Sequence, residues 1–202
     1  MILAGVLIER SKEAEFKKLG VKDSKQLTPQ KREALAKEIK KAGKFHITLT
    51  HPYEIDSRTN MGINLNKIEA IKAAEIINTL NNGEKIKVIL DCPSNNIPAW
   101  RSYLLTHIEK KDNLEIVCEW KADVNHPCVS AASILAKTTR DFEVEKIKKL
   151  VGQDFGSGYP SDPITKKFLK DYYAKHQKDG IFRETWGTVK DHKKGKAQKT
   201  LF

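Results

Sequence analysis

Four short apolar segments constrain the fold of this chain more than any other feature of its sequence. The chain opens with MILAGVLIE, which is apolar on both faces, as a buried strand is. A second segment, FHITLTH, alternates apolar and polar residues, and a third, KIKVILD, ends on Asp91. The fourth is LEIVCEW, which places on one face Leu114, Ile116, Cys118 and Trp120.

Helix signals lie between these predicted strands. Thr28 followed by Pro29 is typical of a helix start, and we expect this helix to end at Gly43. Another helix is predicted to begin at Asn64, and a further one near Pro127. Because strands alternate with helices, the predicted fold class is α/β, with a mixed sheet flanked by helices. We expect a main domain over 1–140 and a helical extension with a basic tail over 141–202.

The charge of the chain narrows the choice of partner. The chain has 202 residues, with 37 Lys and Arg against 26 Asp and Glu, a net charge of +11. This excess favours a polyanion, nucleic acid first and an anionic membrane second, although many lysines can also serve solubility alone. No apolar run approaches the roughly 20 residues that span a bilayer. Three cysteines without CxxC spacing argue against a disulfide framework or a zinc site and favour a reducing, cytoplasmic setting.

Two carboxylates are the first candidates for chemistry. Asp91 closes one predicted strand, and Asp123 follows shortly after another. Carboxylates at strand ends of an α/β sheet commonly converge on one crevice, and carboxylates without paired His or Cys suit Mg²⁺ or Mn²⁺. A strand-end Asp also often caps a turn or a helix, so this alternative stays open for Asp91.

Three further segments are candidates for binding. In the loop GSGYPSDP, glycines and prolines fix the backbone around Tyr159, which either stacks on a sugar or base or fills a turn against the core. Ser24 and Lys25 offer groups that grip phosphate, although an ordinary polar loop has the same composition. Lys137 follows a run of small residues on the helix from Pro127, and such a lysine is most often solvated.

Together these segments resemble type 2 ribonuclease H, especially its archaeal members. The resemblance covers nearly the whole chain and lies in LGVKDSKQLTP, NLNKIEA, VSAASILAK, DFGSGYPSDP and RETWGTVK. It implies a ribonuclease H fold and an endonuclease that cuts the RNA strand of RNA–DNA hybrids. It also implies cleavage beside a single ribonucleotide embedded in duplex DNA.

The resemblance assigns roles to particular residues. Asp91 and Asp123 match two of the four metal-site carboxylates of the family, with Asp91 bridging two Mg²⁺ or Mn²⁺ ions about 4 Å apart. Tyr159 matches the tyrosine at the junction between ribose and deoxyribose. Lys25, with Ser24 beside it, lies in a block where phosphate contacts are expected, and Lys137 lies in a block near the site.

The chain departs from the family pattern at its beginning. Family members open with a central strand ending in Asp-Glu, followed by a Gly-Arg-Gly cluster, and neither motif is present. We therefore expect the natural protein to start upstream, in preference to a degenerate chain, and the chain as written to be inactive or nearly so. A non-catalytic hybrid-binding protein is the main alternative, and a basic structural or ribosome-associated protein is a third.

The C-terminal tail suggests one protein partner. Gln198, Leu201 and Phe202 resemble the start of a sliding-clamp-binding peptide, which archaeal relatives often carry at this end. A disordered basic tail is the alternative. We expect a monomer with no membrane association.

Overall fold

The computed structural model describes residues 1–22 and 24–199, and the side chains as far as residue 194. Four six-residue strands carry the sheet structure of this part of the chain: β1 (Ile2–Leu7), β2 (Lys44–Leu49), β3 (Ile86–Asp91) and β4 (Leu114–Glu119). The helices are α1 (Lys12–Lys18), α2 (Pro29–Ala42), α3 (Pro52–Asn60), α4 (Leu65–Leu80), α5 (Ile97–Leu105), α6 (Ala122–Asn125), α7 (Pro127–Val151), α8 (Pro163–His176) and α9 (Gly187–Lys199).

Local capping explains where the two long N-terminal helices begin. The Thr28 hydroxyl accepts a hydrogen bond from the Lys31 N–H at 3.3 Å, immediately before α2. The Asn64 side chain accepts one from the Lys67 N–H at 3.0 Å, immediately before α4. Each cap satisfies a backbone donor that has no partner inside its own helix. The helix starts predicted from the sequence are therefore confirmed.

The strands form two separate pairs. β1 and β2 are antiparallel, from Ile2 opposite Leu49 to Leu7 opposite Lys44. β3 and β4 are parallel, and their register places Asp91 beside Glu119. No strand within residues 1–22 and 24–199 joins the two pairs. The predicted α/β class with both strand directions is confirmed, but the prediction that the first strand is buried is wrong, since every residue of β1 is half-buried. Within the described residues β1 is paired on one edge, with β2.

By their internal contacts the residues divide into two units. The first unit contains Ile2–Leu49 and Asn64–Arg140, and the second contains Met1, Thr50–Ile63 and the chain from Asp141 on. The boundary inferred from the sequence, with 1–140 as one domain and 141–202 as the other, stays a prediction.

Helix α4 lies against the strands of the first unit. At Gly5 in β1, a Cβ atom would lie 2.3 Å from Cγ2 of Ile76, so only glycine permits this approach of strand and helix. The apolar face of α4 also packs with α5, where the buried Trp100 indole donates to the Asn66 carbonyl at 2.8 Å. A second cluster joins α2 to α7 through Leu35, Ile39 and Ile134.

The second unit has its own apolar clusters around Phe168 and Tyr173 of α8. A buried carboxylate, Asp56 of α3, accepts hydrogen bonds from the Glu184 N–H at 2.7 Å and the Thr185 N–H at 3.0 Å. The Thr185 hydroxyl donates to the same carboxylate at 2.5 Å. The segment before α9 is thereby fixed to α3. None of the described helices is long and apolar enough to cross a bilayer.

Candidate active site

The two residues predicted at strand ends, Asp91 and Asp123, both lie in the first unit, and Asp91 contacts the backbone next to Asp123. Asp91 is the last residue of β3, and its Oδ1 accepts a hydrogen bond from the Ala122 N–H at 3.2 Å. Ala122 directly precedes Asp123, so Asp91 contacts the turn that carries the second carboxylate. Because β3 and β4 are parallel, the C-terminal ends of both strands lie at the same end of the sheet, which we call this edge. The hydrogen bond from the Ala122 N–H joins Asp91 to the start of α6, 31 residues further on, whereas the helix that follows Asp91, α5, is capped by Asn96.

An unusual backbone conformation turns the chain from β4 into α6. Lys121 has φ 57° and ψ 34°, and among the non-glycine residues that the structure describes it alone has a positive φ. The Ser130 hydroxyl of α7 donates to the Asp123 carbonyl and lies 3.2 Å from the His126 carbonyl. The position of Asp123 is therefore set by a left-handed residue on one side and a serine contact on the other.

A third carboxylate at this edge was missed in the sequence. Glu119 ends β4 beside Asp91, and its Oε1 lies 2.9 Å from Nε2 of His126 and 3.2 Å from Nδ2 of Asn125. The signal was present, because LEIVCE ends on an acidic residue as KIKVILD does. Glu119 thus joins the end of β4 to the last residue of α6 and to the residue after it.

The donor chemistry of this edge suits a hard cation. Asp91 is exposed and Asp123 is half-buried, and both offer carboxylate oxygens, the ligands that Mg²⁺ and Mn²⁺ prefer. No group of three or more His, Cys, Asp or Glu that could hold a metal occurs among the described residues. Asp91 and Asp123 nevertheless offer the type of ligand that such an ion prefers, and they are the candidates to hold it.

The predicted phosphate-binding residues lie near α7 in the same unit. Ser24 is buried in a short 3₁₀ turn, and its hydroxyl lies 3.2 Å from the Ser133 hydroxyl of α7. Lys25 in this turn is exposed. Lys137 is half-buried and lies one helical turn beyond Ser133, on the same side of α7. The structure thus brings Ser24 to the small-residue helix, and its role toward phosphate stays a prediction.

Tyr159 lies in the second unit, on a loop that is closed by Asp162. The Asp162 carboxylate accepts from the Ser157 N–H and hydroxyl, each at 2.7 Å, and from the Ile164 N–H at 2.8 Å. These hydrogen bonds, the one from the Ser157 N–H foremost, lower the pKa of Asp162 to about 2. Tyr159 itself is 44% exposed, so its ring is not buried in the core.

The tail residues proposed for clamp binding fall beyond the part of the chain that the structure describes in full. Leu201 and Phe202 lie outside the described residues, and the Gln198 side chain lies outside the described side chains.

Paired strands covered by helices, with carboxylates at the strand ends, make this chain a ribonuclease H-like α/β protein. The family model of Ribonuclease HII matches residues 1–189, and the chain belongs to that family. The resemblance found in the sequence is thereby confirmed, and with it a nuclease of the ribonuclease H type.

Individual relatives agree with this assignment. The chain is 42% identical to the Ribonuclease HII of Pyrococcus furiosus over 193 residues, which cover 94% of this chain and 83% of that protein. It is 41% identical to the Ribonuclease HII of Methanocaldococcus jannaschii over 201 residues, covering 94% and 86%. Among solved structures, the PCNA:RNase HII complex from Archaeoglobus fulgidus matches with a TM-score of 0.81 and 36% identity, covering 95% of this chain and 88% of that one.

Proposed function

We propose that this chain acts on the RNA strand of RNA–DNA hybrids and on single ribonucleotides embedded in duplex DNA, by two-metal-ion hydrolysis at Asp91 and Asp123. One observation supports the proposal: the Asp91 carboxylate accepts from the Ala122 N–H, so Asp91 contacts the turn that carries Asp123. The family membership supports the reaction class, because it makes the chain a ribonuclease H-type nuclease.

The chain's own residues have distinct tasks in this proposal. Asp91 and Asp123 hold Mg²⁺ or Mn²⁺, which when bound supplies Lewis acidity for the attacking water and the leaving 3′-oxygen. Ser130 keeps the backbone of Asp123 in place. Tyr159 contacts the sugar at the junction between ribose and deoxyribose, and phosphates are bound near Ser24, Lys25 and Lys137.

Activity of the chain in this form is expected to be low. Two metal ions close together are normally held by more carboxylates than Asp91 and Asp123 supply, and the described residues contain no larger cluster. Fewer charged ligands mean weaker metal binding, because each carboxylate offsets part of the repulsion between two divalent cations. Slow, metal-dependent cleavage is the expected behaviour.

The direct test is cleavage of a duplex that contains one ribonucleotide. With Mn²⁺, we expect a slow cut at the ribonucleotide, no cut in the matched all-DNA duplex, and no cut when EDTA replaces the metal. Cleavage of both duplexes alike would contradict the proposed substrate. Turnover as fast as that of the Pyrococcus furiosus relative would contradict only the expected impairment and would leave the proposed substrate standing.

A second candidate function is binding to hybrids without cleavage. It is favoured by the small number of carboxylates at the site together with the net charge of +11. The two functions separate in the same assay, because a binding protein would retard the hybrid in a gel and leave it uncut at every Mn²⁺ concentration.

The remaining partner proposal concerns the tail. We propose that Gln198, Leu201 and Phe202 contact a sliding clamp, since the similar structure from Archaeoglobus fulgidus is a complex with PCNA. A pull-down with the clamp should lose its signal when the last five residues are removed, and equal capture of both forms would reject the contact.

Two further proposals concern the compartment and the domain boundary. Three free cysteines support a reducing compartment, the cytoplasm. Residues 1–140 remain our proposed catalytic domain.

A further inference from the structure

An exposed tryptophan stands between the two carboxylates in the sequence, and neither the core nor the proposed reaction uses it. Trp120 is 56% exposed, whereas Trp100, the other tryptophan of the first unit, is 6% exposed. Alternation along β4 predicts Trp120 on the apolar face with Leu114, Ile116 and Cys118, and those three residues do pack in the core. Trp120 does not join them, because β4 ends at Glu119 and Trp120 is the first residue beyond the strand.

The indole of Trp120 is held in place on this surface. Its N–H donates to the Ser94 carbonyl at 2.9 Å, and Ser94 lies three residues beyond Asp91. The same two segments meet a second time where the Asp91 carboxylate accepts from the Ala122 N–H at 3.2 Å. The ring is therefore anchored at its edge to the segment that follows Asp91, three residues before Asp123 in the chain, while more than half of the residue stays accessible.

An anchored, accessible aromatic ring is suited to stacking. It loses little conformational freedom on binding, and its face accepts a planar base or the apolar face of a sugar without sequence preference. The net charge of +11 favours a nucleic acid over a protein as the partner of this surface. Lys121, the next residue, is exposed and adds a positive charge at the same point.

We propose that Trp120 is a substrate-positioning residue that stacks on a nucleoside of the bound strand, beside Asp91 and Asp123. This inference rests on the proposed function, because it requires that the chain binds a nucleic acid at this edge. It assigns to Trp120 a contact separate from that of Tyr159, which lies in the second unit.

The test measures the affinity of four proteins for a labelled RNA–DNA hybrid by fluorescence anisotropy, with Ca²⁺ in place of Mn²⁺ to limit cleavage. The proteins are the wild type, Trp120→Phe, Trp120→Ala and, as a matched control, Tyr53→Ala, which removes another exposed aromatic ring. We expect Trp120→Ala to weaken binding by about 5- to 150-fold and Trp120→Phe by less than about 3-fold. Tyr53→Ala should bind as the wild type does.

The design separates this inference from the proposed function. If the wild type binds the hybrid and Trp120→Ala binds equally well, the stacking role is overturned and the proposed function stands. If the wild type binds no hybrid, both fail. Equal losses of affinity in Trp120→Ala and Trp120→Phe would assign the effect to the hydrogen bond with Ser94, which both variants lack. Equal losses of affinity in Trp120→Ala and Tyr53→Ala would show a non-specific effect. Either result would overturn stacking.

Indole fluorescence identifies which part of the nucleoside is contacted. If hybrid quenches the indole fluorescence of the wild type but not that of Trp120→Phe, a base lies on the Trp120 ring. A loss of affinity in Trp120→Ala with no quenching in the wild type indicates the sugar. Quenching of equal size in the wild type and Trp120→Phe, with unchanged affinity in Trp120→Ala, would overturn the inference.

Discussion

Lys121 shows at the scale of one residue how the candidate site is built. Its left-handed conformation, with φ 57°, turns the chain so that Ala122 faces the Asp91 carboxylate. A residue with a Cβ atom adopts this conformation at a cost of about 1–2 kcal/mol relative to the right-handed region. The surrounding contacts of Asp91 and Ser130 hold the turn despite that cost.

Replacement of Lys121 by glycine should therefore stabilise the fold. We expect the free energy of unfolding to rise by up to about 1 kcal/mol, because the relief of strain exceeds the added freedom of glycine in the unfolded chain. Lys111→Gly is the matched control, since Lys111 has an ordinary φ, and it should lower stability by about 0.5–1 kcal/mol. Urea unfolding measures both changes, and a loss of stability in Lys121→Gly as large as in the control would contradict the argument.

Asp162 gives a pH-dependent prediction at the same scale. Hydrogen bonds from Ser157 lower the pKa of this carboxyl from 3.8 to about 2. A lowered folded-state pKa means that the carboxylate stabilises the loop fully above pH about 4 and loses this effect as the pH falls through about 2. Carbon-13 NMR of the Asp162 carboxyl should show this midpoint, and Ser157→Ala should move it upward. Because Ser157→Ala keeps the backbone N–H and removes only the hydroxyl, a midpoint that stays unchanged would contradict the contribution of the hydroxyl.

The loop from Phe155 to Thr165 is the clearest case at the scale of an element. The Thr165 hydroxyl donates to the Phe155 carbonyl at 2.7 Å and accepts from the Gly158 N–H at 3.0 Å, which closes the loop at its base. Gly156 has φ 72°, and a Cβ atom there would lie 2.5 Å from Asp162 Oδ2. The glycine is thus required by both backbone conformation and space.

Gly156→Ala and Gly152→Ala separate these two requirements. Gly152 has φ 69°, and a Cβ atom added there would meet nothing within 4 Å, so its replacement reports backbone strain alone, about 1 kcal/mol. Gly156→Ala adds the clash with Asp162 and should lower the free energy of unfolding by roughly 1 kcal/mol more. Urea unfolding of the two variants provides the comparison. An equal loss in both would show that the space around Gly156 is not limiting.

At the scale of the whole molecule, the net charge of +11 predicts salt-sensitive binding. Each phosphate contact made by a lysine or arginine contributes about −0.9 to the slope of log affinity against log salt for a duplex. Lys25→Ala should reduce the magnitude of that slope by about one if Lys25 contacts a phosphate. Lys111→Ala is the control, because Lys111 lies three residues before β4, at the end of the strand away from Asp91 and Asp123. Equal slopes for the wild type and Lys25→Ala would remove Lys25 from the interface.

The sequence predicted those parts of the molecule that local physics determines. The starts of α2 and α4 were found because Thr28 and Asn64 are capping residues, and β3 was found to end at Asp91 because its apolar run stops there. The family itself was found through its motif blocks. Contacts between distant segments were not predictable, since the bond from the Ala122 N–H to Asp91 joins residues 31 apart in the chain. Glu119 was missed although its segment ends on an acidic residue, and the prediction of Trp120 on the apolar face was wrong because β4 ends one residue earlier, at Glu119.

The central claim is that Asp91 and Asp123 form the metal site at which the RNA strand is cut. Single-turnover cleavage of a duplex with one ribonucleotide, with protein in excess and Mn²⁺ present, tests it most directly in Asp91→Asn. Asparagine still accepts from the Ala122 N–H, so the turn is kept while the charge is lost. We expect the cleavage rate of Asp91→Asn to fall by at least about 100-fold. Asp112→Asn, the same change at the other end of the strands, is the control and should leave the cleavage rate unchanged. Cleavage by Asp91→Asn at the wild-type rate would contradict the account.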